Sequence, residues 1–209
     1  MSYKLIRVFF VVALGLASSA LFAQEDFSAD IAQFNQEKQT SSGKIYVTKD
    51  KVRLEPQGPN GHGGVMILNF AAHTSDMLMP EHKMYMEMPA GQGPAAQRTW
   101  AFFRPADAEN ACSDWQKLAN RSGGECHKVG SEVVNGRNTI EYEGKSANGD
   151  ISHVWLDSKI AFPVKWEGKN SKGELQNIKA GPQPASLFEI PTDYQKMQMP
   201  MGMPGMPPR

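Results

Sequence analysis

Gly43-Lys44-Ile45-Tyr46-Val47-Thr48-Lys49-Asp50-Lys51-Val52-Arg53-Leu54-Glu55 decides how the rest of this chain is read. Ile45 and Val47 alternate with Lys44, Tyr46 and Thr48, and Val52 and Leu54 resume the alternation after the Lys49-Asp50-Lys51 turn. Successive strand side chains point to opposite faces, so period-two alternation on both sides of a short polar turn predicts a β-hairpin. Outward from it the pattern repeats. Residues 56–64 form a Gly/Pro/Asn loop, and residues 65–70, 76–79 and 83–88 read as three further strands, the last two joined by Pro80-Glu81-His82. Residues 91–96 read as a second loop, and residues 111–120 are the one convincing helical stretch, with Trp115 and Leu118 spaced i, i+3. Strands resume at residues 125–134, 137–144, 151–157, 161–167 and 174–180, punctuated by Asn135-Gly136, Asn148-Gly149, Asp157-Ser158-Lys159 and Lys172-Gly173. Regular Asn-Gly turns between short strands predict an antiparallel meander. Ten or so strands in one sheet cannot stay flat, so the expected fold is mainly β, a curved antiparallel sheet curling toward a half-barrel or barrel.

The first residues carry Lys4 and Arg7, an apolar run over residues 8–16, and small residues ending Ser18-Ser19-Ala20-Leu21-Phe22-Ala23, the layout of a secretory signal peptide. Cleavage is expected after Ala23, with Ala20 as the alternative, and the mature protein is expected to be soluble and periplasmic or secreted. The apolar run is too short to span a bilayer, and no second one follows. The 22 Lys and Arg balance 22 Asp and Glu, which argues against a nucleic-acid partner. Cys112 and Cys126 enter an oxidising compartment with only each other as partners within the chain, so a structural disulfide is expected, clipping the helix to the next strand. The domains are then residues 1–23 as leader, 24–196 as one β domain, and 197–209 as a flexible Met/Pro-rich tail, too rich in Pro and Gly for a helix.

Ten methionines fall in two clusters: Met77, Met79, Met84, Met86 and Met88, then Met197, Met199, Met201, Met203 and Met206. Period two puts Met77 and Met79 on one face of their strand and the next three on one face of theirs, so pairing as a hairpin makes one thioether patch. Such a patch can be sheet core, an adaptable surface for acyl chains, or a soft-metal site; in the tail, Met197, Met199, Met201 and Met203 could wrap Cu(I). Trp155, Phe162 and Trp166 read as core or as the lining of an apolar cavity on the concave side. The five histidines lie in no zinc-binding pattern, and His62 sits in a Gly-rich loop without the Lys-Ser/Thr of a phosphate loop. Glu141 and Glu143 alternate along a strand and read as solvated. Nothing resembles an active site, so a non-enzymatic protein without a cofactor is expected.

The 43–55 hairpin, Met77-Leu78-Met79-Pro80-Glu81-His82-Lys83-Met84-Tyr85 and the closing Leu187-Phe188-Glu189-Ile190-Pro191-Thr192-Asp193-Tyr194 together resemble the periplasmic outer-membrane lipoprotein carriers, the LolA/LolB-like superfamily. The likeness is closer still to an uncharacterised family of secreted bacterial domains of that fold. It implies an unclosed barrel of about eleven antiparallel strands, covered by helices, whose apolar concave face holds acyl chains in the carriers. The resulting expectation is an exported protein that binds a lipid, an acyl chain or a lipidated partner, with Met77, Met79, Met84, Met86, Met88, Trp155, Phe162 and Trp166 lining the cavity. Copper binding by the methionines and a structural cell-envelope role are the alternatives.

Overall fold

In the computed structural model, residues 25–35, 38–57, 63–90, 94–104, 106–119, 124–169 and 171–197 are described. The expected leader, the His62 loop and residues 198–209 of the expected tail lie outside them. The chain forms strands β1 (Phe27–Asn35), β2 (Lys38–Val47), β3 (Lys51–Gln57), β4 (Val65–Asn69), β5 (Thr74–Met79) and β6 (Met84–Pro89), then helices α1 (Pro94–Phe103) and α2 (Ala111–Ala119). Strands β7 (Glu125–Val134), β8 (Arg137–Lys145), β9 (Ile151–Asp157), β10 (Phe162–Gly168), β11 (Ser171–Ala180) and a short β12 (Gln195–Lys196) follow.

Among the described residues, twelve strands join one unclosed sheet in the order β12-β6-β5-β4-β3-β2-β1-β11-β10-β9-β8-β7. The chain therefore starts near the middle, meanders to one edge, crosses through α1 and α2 to the other edge, and meanders back until β11 pairs with β1. Every pairing is antiparallel except β12 with β6, which is parallel. Bulges at Ser28/Asp30, Gln33/Phe34, Lys128/Gly130 and Pro163/Lys165 bend the strands and increase the twist that curls the sheet. Asn135 and Gly136, with φ of 50° and 77°, make the tight β7–β8 turn that the Asn-Gly pair announces.

Three elements differ from the sequence expectation, among them β12, over which the sequence carries no strand pattern. The 91–96 loop gives way at Pro94 to helix α1, which has proline at its first position, where the missing N–H is no loss. Strand β1, for which no separate hairpin signal exists, owes its place to long-range pairing with both β2 and β11.

Register assigns side chains to faces, because directly opposed residues share one. The inner face, covered by the helices, carries Phe27, Ala29, Ile45, Val47, Val52, Leu68, Phe162, Val164 and Leu175, all buried, with Trp100 of α1 closing over them. Phe27 meets Phe162 edge-on at 5.2 Å, and Phe70 meets Trp100 at 4.8 Å. A second cluster seats α2 on β8 and β9 through Ala106, Ala108, Ala111, Ile140, Tyr142 and Leu156. The Tyr142 hydroxyl donates to the Ala108 carbonyl at 2.7 Å, and burial pushes its pKa up. The outer face is buried over β4 and β5, where Val65, Ile67 and Leu78 pack with Tyr85 and Tyr194, and on β8 and β9 at Thr139, Trp155 and Asp157. Arg53 donates to the Leu187 carbonyl at 2.8 Å and so pins the C-terminal segment across that face.

Candidate functional site

Between the two helices and the inner face of β8, β9 and β10 lies a cleft of about 600 Å³. Each wall has a local cause. Tyr142, Val154 and Trp166 are directly opposed in register on three adjacent strands and form the floor. The row continues to Gly173 of β11, which lacks a side chain where the Trp166 indole passes: a Cβ there would lie 2.9 Å from Nε1 and closer still to Cζ2. Phe102 and Phe103 of α1 and Trp115 of α2 form the roof. Phe102 meets Trp166 edge-on at 5.4 Å, and Trp115 meets Tyr142 edge-on at 5.7 Å. The Trp115 Nε1–H is buried and has no acceptor among the described residues. The disulfide between Cys112 and Cys126 joins α2 to β7 at this cleft, with Cα atoms 5.6 Å apart, as the sequence predicts.

The rim is polar and of mixed charge: Glu125, Lys145, Ser146, Ser152, His153 and Glu167. His153 Nδ1 lies 2.7 Å from Glu141 Oε1, and its Nε2 lies 3.7 Å from Glu143 Oε2. The two glutamates that read as solvated are thus half-buried and hold the imidazole between them. Burial pushes the Glu167 carboxyl up, but hydrogen bonds from Lys165 and Lys172 outweigh it and leave the pKa below the usual value. On the opposite side of the sheet a smaller depression is walled by Ser28, Asp30, Lys44 and Asn177. Its charges satisfy one another: Asp30 accepts from Asn177 at 2.8 Å and Lys44 at 2.9 Å, which lowers its pKa.

The sequence-derived candidates separate into four places. Trp166 lines the cleft. Phe162 is fully buried core. Trp155 is opposed to Glu141 and Lys165, has the Lys165 ammonium 3.9 Å from its ring centroid, and belongs to the face opposite Val154 and Trp166. Met77, Met79, Met84, Met86 and Met88 are all half-buried and share the inner face of the β5–β6 hairpin, with Met77 opposite Met86 and Met79 opposite Met84. They lie toward the far edge of the sheet and do not line the cleft. The residues missed at the sequence level are Phe102, Phe103 and Trp115, which come from the helices; the available signal was Pro94-Ala95-Ala96 as a helix start, followed by an aromatic run.

Among the described residues no group of His, Cys, Asp or Glu could hold a metal ion, and no helix is long and apolar enough to cross a membrane.

No family model matches the sequence, and no curated protein does. Solved structures do match. An uncharacterised conserved protein from Thermus thermophilus aligns with a TM-score of 0.55 at 10% identity, covering 84% of this chain and 91% of that one. MucB in a Pseudomonas aeruginosa MucA/MucB complex aligns with a TM-score of 0.50 at 14% identity, over 90% of this chain and 63% of that one. PNGF-II gives 0.50 at 11% identity but only 30% of its own length. Identities this low establish likeness of fold alone, an unclosed and mainly antiparallel sheet with two helices, which agrees with the architecture expected from the sequence.

Proposed function

We propose that the chain is an extracytoplasmic, non-enzymatic binding protein that takes an acyl chain, free or as part of a lipid or lipidated partner, into the cleft beneath α1 and α2. The observation that carries this reading is the cleft itself: a space of about 600 Å³ with an aromatic and aliphatic lining and a polar rim. That volume suits a small-molecule site, where apolar walls supply affinity and a few polar groups fix orientation. The buried Trp115 Nε1–H is a donor that an ester or carboxylate oxygen of the ligand would satisfy. A disulfide at the cleft agrees with an oxidising compartment. A fold neighbour is consistent with a lipidated or protein partner, since the similar structure is that of a MucA/MucB complex, although this chain spans 63% of the matched chain.

The test is native mass spectrometry of the mature chain from a mild periplasmic extract, followed by titration with a fluorescent long-chain fatty acid. An adduct of lipid mass, with probe uptake that Val154→Trp abolishes by filling the floor, is the expected result. A bare chain that takes up no probe at micromolar concentration would refute the reading.

A further inference from the structure

The sequence predicts a patch of five methionines on the β5–β6 hairpin; the tertiary structure extends it across two more strands. Met66 of β4 is opposed to Met77 of β5, and Met77 is opposed to Met86 of β6. On the other side of β6, β12 runs parallel with Gln195 beside Met84 and Lys196 beside Tyr85. The Met197 amide donates to the Tyr85 carbonyl at 2.8 Å, which continues the pairing by one residue and sets Met197 beside Met86. Lys196 confirms the alternation, since its ammonium reaches Glu87 at 2.9 Å on the outer face. Met66, Met77, Met86 and Met197 therefore form one row across four adjacent strands, with Met79 and Met84 in the row beside it and Met88 beyond. The first residue of the expected flexible tail is thus fixed against the hairpin.

Spacing within that row decides what it can do. Along one strand, same-face neighbours stand roughly 6.6 to 6.8 Å apart, but across the sheet strands are about 4.8 Å apart. Two sulfurs bound to one ion at roughly 2.3 Å each are at most about 4.6 Å from one another, so flexible thioethers opposed on neighbouring strands need only lean together slightly, while same-face neighbours along a strand must close a gap of about 2 Å. Composition points the same way. The inner face of β1 to β3 is built from Phe27, Ala29, Ile31, Ile45, Val47, Val52 and Leu54, the side chains a pleated surface prefers, and from Met66 outward it changes to thioethers. Burial alone does not call for that change, because Val and Ile would serve the same face better. Nor do these methionines vanish into the core: all of them remain half-exposed, and Met197 is 40% exposed. Asp76 and Glu87, the nearest carboxylates on these strands, lie on the opposite face, so the site offers soft donors only.

We propose that this row is a binding site for a soft monovalent cation of the Cu(I) class, with Met77 and Met86 as the central ligands and either Met66 or Met197 leaning in from the adjoining strand as a third. Neutral thioethers select Cu(I) over hard or borderline divalent ions. The site is separate from the acyl cleft and does not depend on it.

Titration of the full mature chain with Ag(I), the redox-stable stand-in, tests this, read by calorimetry and by the methionine methyl resonances in proton–carbon NMR. The deciding variant is Met77→Leu with Met86→Leu, which keeps the apolar surface and near-equal volume but removes the sulfur. We expect the methyls of Met77 and Met86 to shift most in the parent protein, and the variant to bind more than about tenfold more weakly while taking up the fatty-acid probe as before. A second variant with leucine at 199, 201, 203 and 206 leaves the row intact and should keep the site. The proposal is overturned if the parent binds Ag(I) no better than millimolar, if the tail methyls alone shift, or if the Met77/Met86 variant keeps parental affinity.

Discussion

Gly173→Ala tests the architecture of the cleft with a single methyl group. Gly173 is opposed to Trp166, and the added Cβ would lie 2.9 Å from the indole Nε1 and nearer still to Cζ2 and Cε2. Carbon contacts are comfortable at about 3.5 to 4.0 Å, so the ring must retreat by about 1.2 to 1.7 Å. Backbone fixes the new methyl, and the sheet lies beneath, so the indole can move only toward Phe102 and into the cleft. Overpacking of this kind costs about 1 to 3 kcal/mol, which for a domain of this size lowers Tm by roughly 2 to 12 °C. If the displaced ring excludes one or two methylenes of an acyl chain at about 0.8 kcal/mol each, affinity falls roughly four- to fifteenfold. Gly130→Ala is the control, because nothing lies within 4 Å of its Cβ position. Differential scanning fluorimetry and fatty-acid probe titration read both effects. Parental Tm together with parental probe affinity in Gly173→Ala would show that Trp166 does not rest over Gly173, and the account of the cleft floor would fail.

Replacing Cys112 and Cys126 together with serine should remove about 3 kcal/mol of stability, the chain-entropy value for a loop of this length, and loosen α2 over the cleft; equilibrium urea unfolding of parent and variant gives the difference directly. Asp76 is buried opposite Glu87, its Oδ1 has no hydrogen-bond partner among the described residues, and burial first and Glu87 second raise its pKa. A carboxyl whose folded pKa lies above its unfolded one binds more protons when folded, so stability declines as pH rises from the unfolded value of 3.8 through the folded one. Asp76→Asn should therefore raise Tm at pH 7 and lose that advantage below about pH 4, where the parent's Asp76 is protonated in both states; a Tm gap independent of pH would refute the assignment.

Much of the fold was legible because its signals are local. The 45–54 hairpin follows from apolar alternation around a charged turn, and β7–β8 from Asn135-Gly136, whose positive φ values other residues adopt at a cost. Met77 to Met88 share a face because strand period is two, and Cys112 pairs with Cys126 because the chain offers no other thiol. Helix α1 was obscured by the glycines before it and by an aromatic run without clear period. Its side chains matter most to the cleft, so the roof of the site was not legible even where the floor residue Trp166 was.

Sequence alone determined the strands other than β1 and β12, the turns between neighbours, the cysteine pair and the side of the hairpin on which the thioethers stand, all consequences of spacing within a few residues. Only the tertiary structure decided that β1 joins β11, that two helices roof β8 to β10 and leave a cleft, and that Met197 comes to rest beside Met86 some hundred residues away. Those outcomes depend on which edges and faces remain to be covered once the whole sheet has assembled, and no local pattern encodes that.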